Sequence, residues 1–168
     1  RLRKRGVNVT IGHKDYNVKG ADLVVYNSAI SPDNCELLKA ANCGIPVISR
    51  IELLSEIMSC FEYSIGIAGS HGKTTATAMC AHALYNSCEN VTAHIGGEDA
   101  KFGNFYNGGN KFFVTEACEF KKNFLKLHPS VAVLLNCDRD HLDCYENTEE
   151  LYASFTEFAE RARARIVN

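Results

Sequence analysis

Residues 63–75 read Tyr-Ser-Ile-Gly-Ile-Ala-Gly-Ser-His-Gly-Lys-Thr-Thr, and few architectures accept such a segment. The first six form a short apolar, β-branched run, the pattern of a buried strand. Gly69 and Gly72 bracket a tight loop, and a helical pattern opens at Lys73. Strand, glycine loop and helix N-terminus together make an anion cradle, because backbone N–H groups point inward and the helix dipole favours negative charge. A lysine and a hydroxyl directly after the second glycine suit a nucleoside triphosphate: Lys73 reaches the terminal phosphates and Thr74 can ligate magnesium. The loop is shorter than Gly-x-x-x-x-Gly-Lys-Thr, since Ile67 stands where the first glycine belongs. Read without its flanks it is a glycine-rich turn. With them it predicts a nucleotide site at Gly69, Ser70, His71, Gly72, Lys73, Thr74 and Thr75.

The remaining composition narrows the class. The chain has 168 residues, is 46% hydrophobic and carries a formal net charge of -2, which suffices for one good core or for one domain and part of another. Near-neutral charge gives no support to nucleic-acid or membrane binding. The basic runs at residues 1–5 and 161–165 read as solvated helix faces rather than phosphate-backbone patches. No apolar run approaches the roughly 20 residues that span a bilayer, and no signal peptide is recognisable. The eight cysteines contain no Cys-x-x-Cys pair. They read as buried thiols of a reducing cytoplasm, not as a disulfide framework or a zinc site.

The expected fold class is α/β with a mostly parallel sheet. Residues 7–11 and 22–26 read as strands. Ser31-Pro32-Asp33 starts a helix that Gly44 and Pro46 stop, residues 46–49 form a third strand, and a helix follows through Ile51, Leu54, Ile57 and Met58. From about residue 62 a second unit begins. It holds the phosphate-loop strand, an Ala-rich helix from 73 to about 86 and a strand at 91–95. After a Gly/Asn-rich stretch at 96–110 come strands at 111–115 and 131–136 and a helix at 148–165. In such sheets ligands gather at the strand carboxyl ends. The βαβ rhythm starts abruptly and the chain stops just after a helix, so both ends read as cut.

Two of those strand ends carry candidate chemistry. The strand at 111–115 runs into Glu116-Ala117-Cys118-Glu119, and a carboxylate there can hold a magnesium ion against the phosphates. Taken alone, Glu116 is an ordinary strand-end charge. The strand at 131–136 feeds Asn136-Cys137-Asp138-Arg139-Asp140-His141-Leu142-Asp143, and His141 taken alone is a capping or loop histidine.

In combination these segments resemble the ATP-dependent Mur ligases of peptidoglycan synthesis. The phosphate loop, Glu116-Ala117-Cys118-Glu119 and Asn136-x-x-x-Asp140-His141-x-Asp143 follow one another as they do in that family. Ser70-His71-Gly72-Lys73-Thr74-Thr75 is similar to the form typical of members that add L-alanine to UDP-N-acetylmuramate. Gly12-His13, residues 17–22, Ser28-Ala29-Ile30 and residues 44–50 are similar to the second half of the family's UDP-binding domain. The resemblance thus implies a Rossmann-like half domain at 1–61 and the first part of a P-loop-containing central ATP-binding domain at 62–168. It implies amide formation in two steps, through an acyl phosphate that the amine then attacks. By resemblance the catalytic positions are Lys73, Glu116 and His141, and the magnesium positions are Thr74, Glu116 and His141. Asp140 and Asp143 would orient His141. Ser70 replaces the commoner Thr, and Cys118 stands where the family has Asp. The implied enzyme is cytoplasmic, and the 168 residues alone are expected not to ligate. Two rivals stay open: the family's ligase for recycled murein tripeptide, and a non-catalytic nucleotide-binding module.

Overall fold

The computed structural model describes residues 2–88, 90–138 and 145–168. They form two compact units, Arg1–Leu53 and Leu54–Asn168.

In the first unit β1 (Val24–Tyr26) and β2 (Val47–Ser49) pair in parallel, with Val24 opposite Val47. Between them lies α1 (Cys35–Asn42). It begins later than Ser31 because Asn34 supplies the cap, its side chain accepting the Glu36 N–H at 2.9 Å. It ends where Gly44 takes φ +69°, a left-handed turn that glycine enters without strain. The expected strand at 7–11 does not form. Ile11 is 82% exposed, and β1 and β2 bond only to each other in a two-stranded sheet. An alternating pattern becomes a strand only against a neighbouring strand and a core. The division between the units falls inside α2 (Arg50–Ser59).

The second unit is built on a six-stranded sheet. Its strands are β3 (Tyr63–Ala68), β4 (Val91–Asp99), β5 (Gly103–Asn107), β6 (Phe112–Glu116), β7 (Val131–Leu134) and β8 (Ala164–Val167), in the order β5-β4-β6-β3-β7-β8. Every pairing is parallel except that of β4 with β5. Strand alternation assigns β3 to two cores. Ile65 and Ile67 pack with Val91, Val114 and the residues Ala76, Cys80 and Leu84 of α3 (Lys73–Cys88). Gly66 faces the opposite side, where an added Cβ would lie 3.1 Å from the Phe158 ring and 3.3 Å from Pro129. That second core belongs to α4 (Thr148–Glu160). Phe124 stacks on Phe158 with centroids 5.1 Å apart and meets Phe155 edge-on at 5.2 Å.

Two readings of this unit need correction. The strand expected at 91–95 is longer: β4 continues through Gly96 and Gly97 to Asp99 and returns as β5. The Asp99 carboxylate accepts the Lys101 and Phe102 amides, both at 2.9 Å, and so turns the corner. The last helix does not run to 165. It stops at Glu160, and Ala164–Val167 pairs with β7 as an edge strand. The Arg-Ala run is compatible with a helix, but an open strand edge offers its backbone better partners. The cysteines also depart from expectation. Cys35, Cys43, Cys60 and Cys118 are exposed, and Cys80 and Cys137 are half-buried, all as free thiols. Cys35, Cys43 and Cys60 sit at helix ends, where side chains meet solvent. Among the described residues no helix is long and apolar enough to cross a membrane.

Candidate nucleotide site

Parallel pairing brings three strand ends together. Ile67 lies opposite Glu116 and Ala68 opposite Leu134, so the loop after β3 emerges between the carboxyl ends of β6 and β7. Here the strand order also reverses, since the chain builds one side of β3 before crossing to the other. Such switch points leave a crevice for ligands.

The loop is pinned from the β7 side. The Leu135 amide donates to the Ala68 carbonyl at 3.0 Å, and the Ser70 amide to the Asn136 carbonyl at 3.3 Å. The Ser70 hydroxyl accepts the Asp138 N–H at 2.9 Å and donates to the Asp138 carbonyl at 3.0 Å. Asn136 grips the His71 backbone with both ends of its amide: Oδ1 accepts the His71 N–H at 2.9 Å and Nδ2 donates to the His71 carbonyl at 3.1 Å. Gly69 is required by space and by conformation, with φ +150° and an imagined Cβ 3.1 Å from that of Leu135. The first bond of α3 runs from the Ala76 amide to the Gly72 carbonyl. The amides of Lys73, Thr74 and Thr75 therefore precede the helical ladder and are its N-terminal donors.

Lys73 is held rather than loose. Its ammonium donates to the Gly69 carbonyl at 2.5 Å, to the Ser70 carbonyl at 3.3 Å and to Oε1 of Glu119 at 3.1 Å, and lies 3.0 Å from Oε2 of the same carboxylate as an ion pair. Glu119 is 1% exposed and the Lys73 side chain 14%. Removing one member of such a buried pair costs about 3–5 kcal/mol. Glu119 is fixed in turn, its carbonyl accepting the Tyr145 hydroxyl at 2.6 Å and the Lys122 amide at 2.9 Å. The following Lys121 and Lys122 adopt φ +52° and +55°, a left-handed pair without glycine.

Glu116 and Thr74 meet the same stretch of β4. The Glu116 carboxylate accepts the Gly96 N–H at 2.6 Å. An added Cβ would lie 2.5 Å from that carboxylate at Gly96, and 2.9 Å from Thr74 Cγ2 at Gly97. The two glycines thus leave room for the Glu116 carboxylate and for the Thr74 methyl group against β4. Beside them a cleft of about 350 Å³ opens, lined by Thr74, Thr75, Met79, His82, Ile95 and Glu98. The His71 ring lies 3.5 Å from the Asp138 carboxylate, both well exposed. Burial, then the charges of Asp138 and Glu119, push the Cys137 thiol up from its ordinary range. His141, Asp140 and Asp143 lie outside the described residues.

The donor set fits a triphosphate, with three helix-terminal amides and an ammonium around a loop whose Gly69 and Gly72 take positive φ. Thr74 and Glu116 supply the hard oxygens that magnesium prefers. Sequence reasoning named Ser70 and His71 as cofactor contacts, and here the Ser70 hydroxyl and the His71 backbone serve as struts. It quoted Asn136 and Glu119 within motifs without giving either a role, and it passed over the Gly96–Gly97 pair. The double glycine after an apolar strand was the available signal.

Residues 67–168 match the Mur ligase middle domain, and residues 1–62 match the Mur ligase family catalytic domain. This chain belongs to the Mur ligase family. It is 46% identical over 159 residues to a UDP-N-acetylmuramate–L-alanine ligase of Acetivibrio thermocellus, a match covering 94% of the chain and 34% of that protein. A ligase of the same description from Caldanaerobacter subterraneus subsp. tengcongensis is 46% identical, with 95% and 35% covered. The chain thus spans about a third of the length of these curated relatives. Among solved structures, the UDP-N-acetylmuramate–alanine ligase of Thermotoga maritima superposes with a TM-score of 0.87 at 26% identity, covering 99% of this chain and 39% of that one. The UDP-N-acetylmuramate:L-alanyl-γ-D-glutamyl-meso-diaminopimelate ligase of Neisseria meningitides gives 0.84 at 26%, covering 96% and 56%.

Proposed function

We propose that these residues form the nucleotide-holding part of an ATP-dependent ligase that adds L-alanine to UDP-N-acetylmuramate in peptidoglycan synthesis. The observation that carries this reading is the Lys73 ammonium, held by the Gly69 carbonyl and Glu119 in a glycine loop that emerges between the ends of β6 and β7, with Glu116 at the end of β6. The 46% identity to alanine-adding ligases directs it to that reaction. In this reading residues 1–61 are part of the UDP-binding domain and residues 62–168 part of the central ATP-binding domain. Magnesium-ATP would supply the phosphoryl group that activates the substrate carboxylate. The chain's own task is electrostatic and geometric. Gly69 and Gly72 let the loop backbone approach the phosphates closely. The α3 amides and Lys73 offset phosphate charge, so that a carboxylate can come near. Thr74 and Glu116 would hold one magnesium ion, and Glu116 and His141 a second.

Lys73→Ala in the full-length protein is expected to lower affinity for ATP by about 100-fold or more, read by calorimetric titration. Near-normal affinity would sink the reading. The fold likeness to the tripeptide-adding ligase of Neisseria meningitides keeps one rival in view. Offering L-alanine and L-alanyl-γ-D-glutamyl-meso-diaminopimelate in parallel decides it: turnover with the tripeptide alone would overturn the alanine assignment.

A further inference from the structure

We infer that Glu119 is a positioning residue for Lys73, the fixed point about which the ammonium works when phosphate arrives. The inference rests on the nucleotide reading above and names a residue that reading leaves without a role.

An ammonium has three N–H donors, and in this structure Gly69, Ser70 and Glu119 occupy them. A phosphate oxygen can enter only if one contact is given up. The three are not equally easy to release. The Ser70 carbonyl is the most distant at 3.3 Å, and it is neutral. The Gly69 carbonyl is the shortest contact at 2.5 Å. The Glu119 carboxylate is nearly sealed from water at 1% exposure, so withdrawing its cation would leave a charge where solvent cannot repay it. The Ser70 contact is the one surrendered, and Lys73 turns outward while still tied to Glu119. A lysine stem without such a tether samples many rotamers, and ordering it on ligand binding costs affinity.

The surroundings of Glu119 are built for the task. Tyr145 and the Lys122 amide hold its carbonyl. The Phe124 amide donates to the Cys118 carbonyl at 3.1 Å, closing the turn around it. That turn runs through two left-handed lysines, and backbone strain of this sort persists where the surrounding structure over-determines it. Lys122 then reaches Glu150 at the start of α4, anchoring the turn from outside.

The test is a double-mutant cycle in the full-length protein, read as affinity for a non-hydrolysable ATP analogue with magnesium. Glu119→Gln keeps the shape and removes the charge. It is expected to weaken binding about tenfold in the wild-type background, and by less than about twofold where Lys73→Met has removed the partner. Glu119→Asp keeps the charge one carbon short and should fall between wild type and Glu119→Gln. Unchanged or tighter binding by Glu119→Gln overturns the inference, because the carboxylate would then only compete with phosphate. Equal weakening in both backgrounds overturns it too, since Glu119 would be acting on the fold. If Glu119→Gln does not fold, the Asp variant in the two backgrounds gives the same comparison. Failure of the wild-type protein to bind the analogue would instead strike the nucleotide reading itself.

Discussion

Lys121 and Lys122 show what a single backbone angle can cost. Each non-glycine residue in the left-handed region gives up about 1 kcal/mol or more, and here two occur in succession beside Glu119. Lys121→Gly should therefore raise the denaturation midpoint by an amount equivalent to about 1 kcal/mol, measured by urea unfolding. The neighbouring Lys122 contact to Glu150 is left intact. A lower midpoint would mean that the turn is not strained. Glu116 makes a different prediction at this scale. Its carboxylate is held by the Gly96 amide, so Glu116→Gln should leave the fold unchanged, because Gln Oε1 can accept the same bond. Losing a hard anionic ligand, it should need about tenfold more magnesium for ATP binding, read by titrating the metal at fixed nucleotide. An unchanged magnesium requirement would remove Glu116 from the metal site.

At the scale of elements, the first unit is joined through Glu36 at the start of α1. Its carboxylate accepts from Asn17 at 2.6 Å and lies 2.6 Å from the His13 ring, so it ties the turn at Asp15–Val18 to the helix. The bonds from His13 and then Asn17 hold the Glu36 carboxyl below its ordinary value. The sign follows from linkage: the folded form prefers the ionised group, so the contribution is present above the unfolded pKa. It is lost as pH falls through the folded one. Glu36→Gln should flatten the acid side of the stability profile, monitored by circular dichroism between neutral and acid pH. A profile parallel to wild type on that side would show that Glu36 does not couple the two elements. The loop after β3 follows the same logic without titration, since Asn136 and Ser70 turn a flexible segment into a preformed one.

Across the whole of the second unit the sheet has two faces with unequal interiors. The α3 side combines small and aliphatic residues with the ring cluster of Tyr85, Phe102 and Tyr106, whereas the α4 side depends on Phe124, Phe155 and Phe158. Phe124 is fully buried and closes the turn that carries Glu119. Phe124→Ala should destabilise the unit by about 3–5 kcal/mol, measured by chemical unfolding. It should weaken nucleotide binding only as far as the turn loosens. A loss under 1 kcal/mol would show that the aromatic cluster is not the core of that face.

Much of this was decided by the sequence alone. The strand, glycine loop and helix from Tyr63 to Cys88 were legible because glycine placement and apolar run length act locally. The parallel sheet and the grouping of Glu116 with the loop followed from strands alternating with helices. Only the tertiary structure could seat Ala164–Val167 as β8, leave residues 7–11 outside any sheet and turn residues 96–107 into a hairpin. Those outcomes depend on which strand edges are open, and no local propensity encodes that. The pairing of Lys73 with Glu119 belongs to the same class. Its members are 46 residues apart, and the parallel register of β3 with β6, together with the turn that follows β6, brings them into contact.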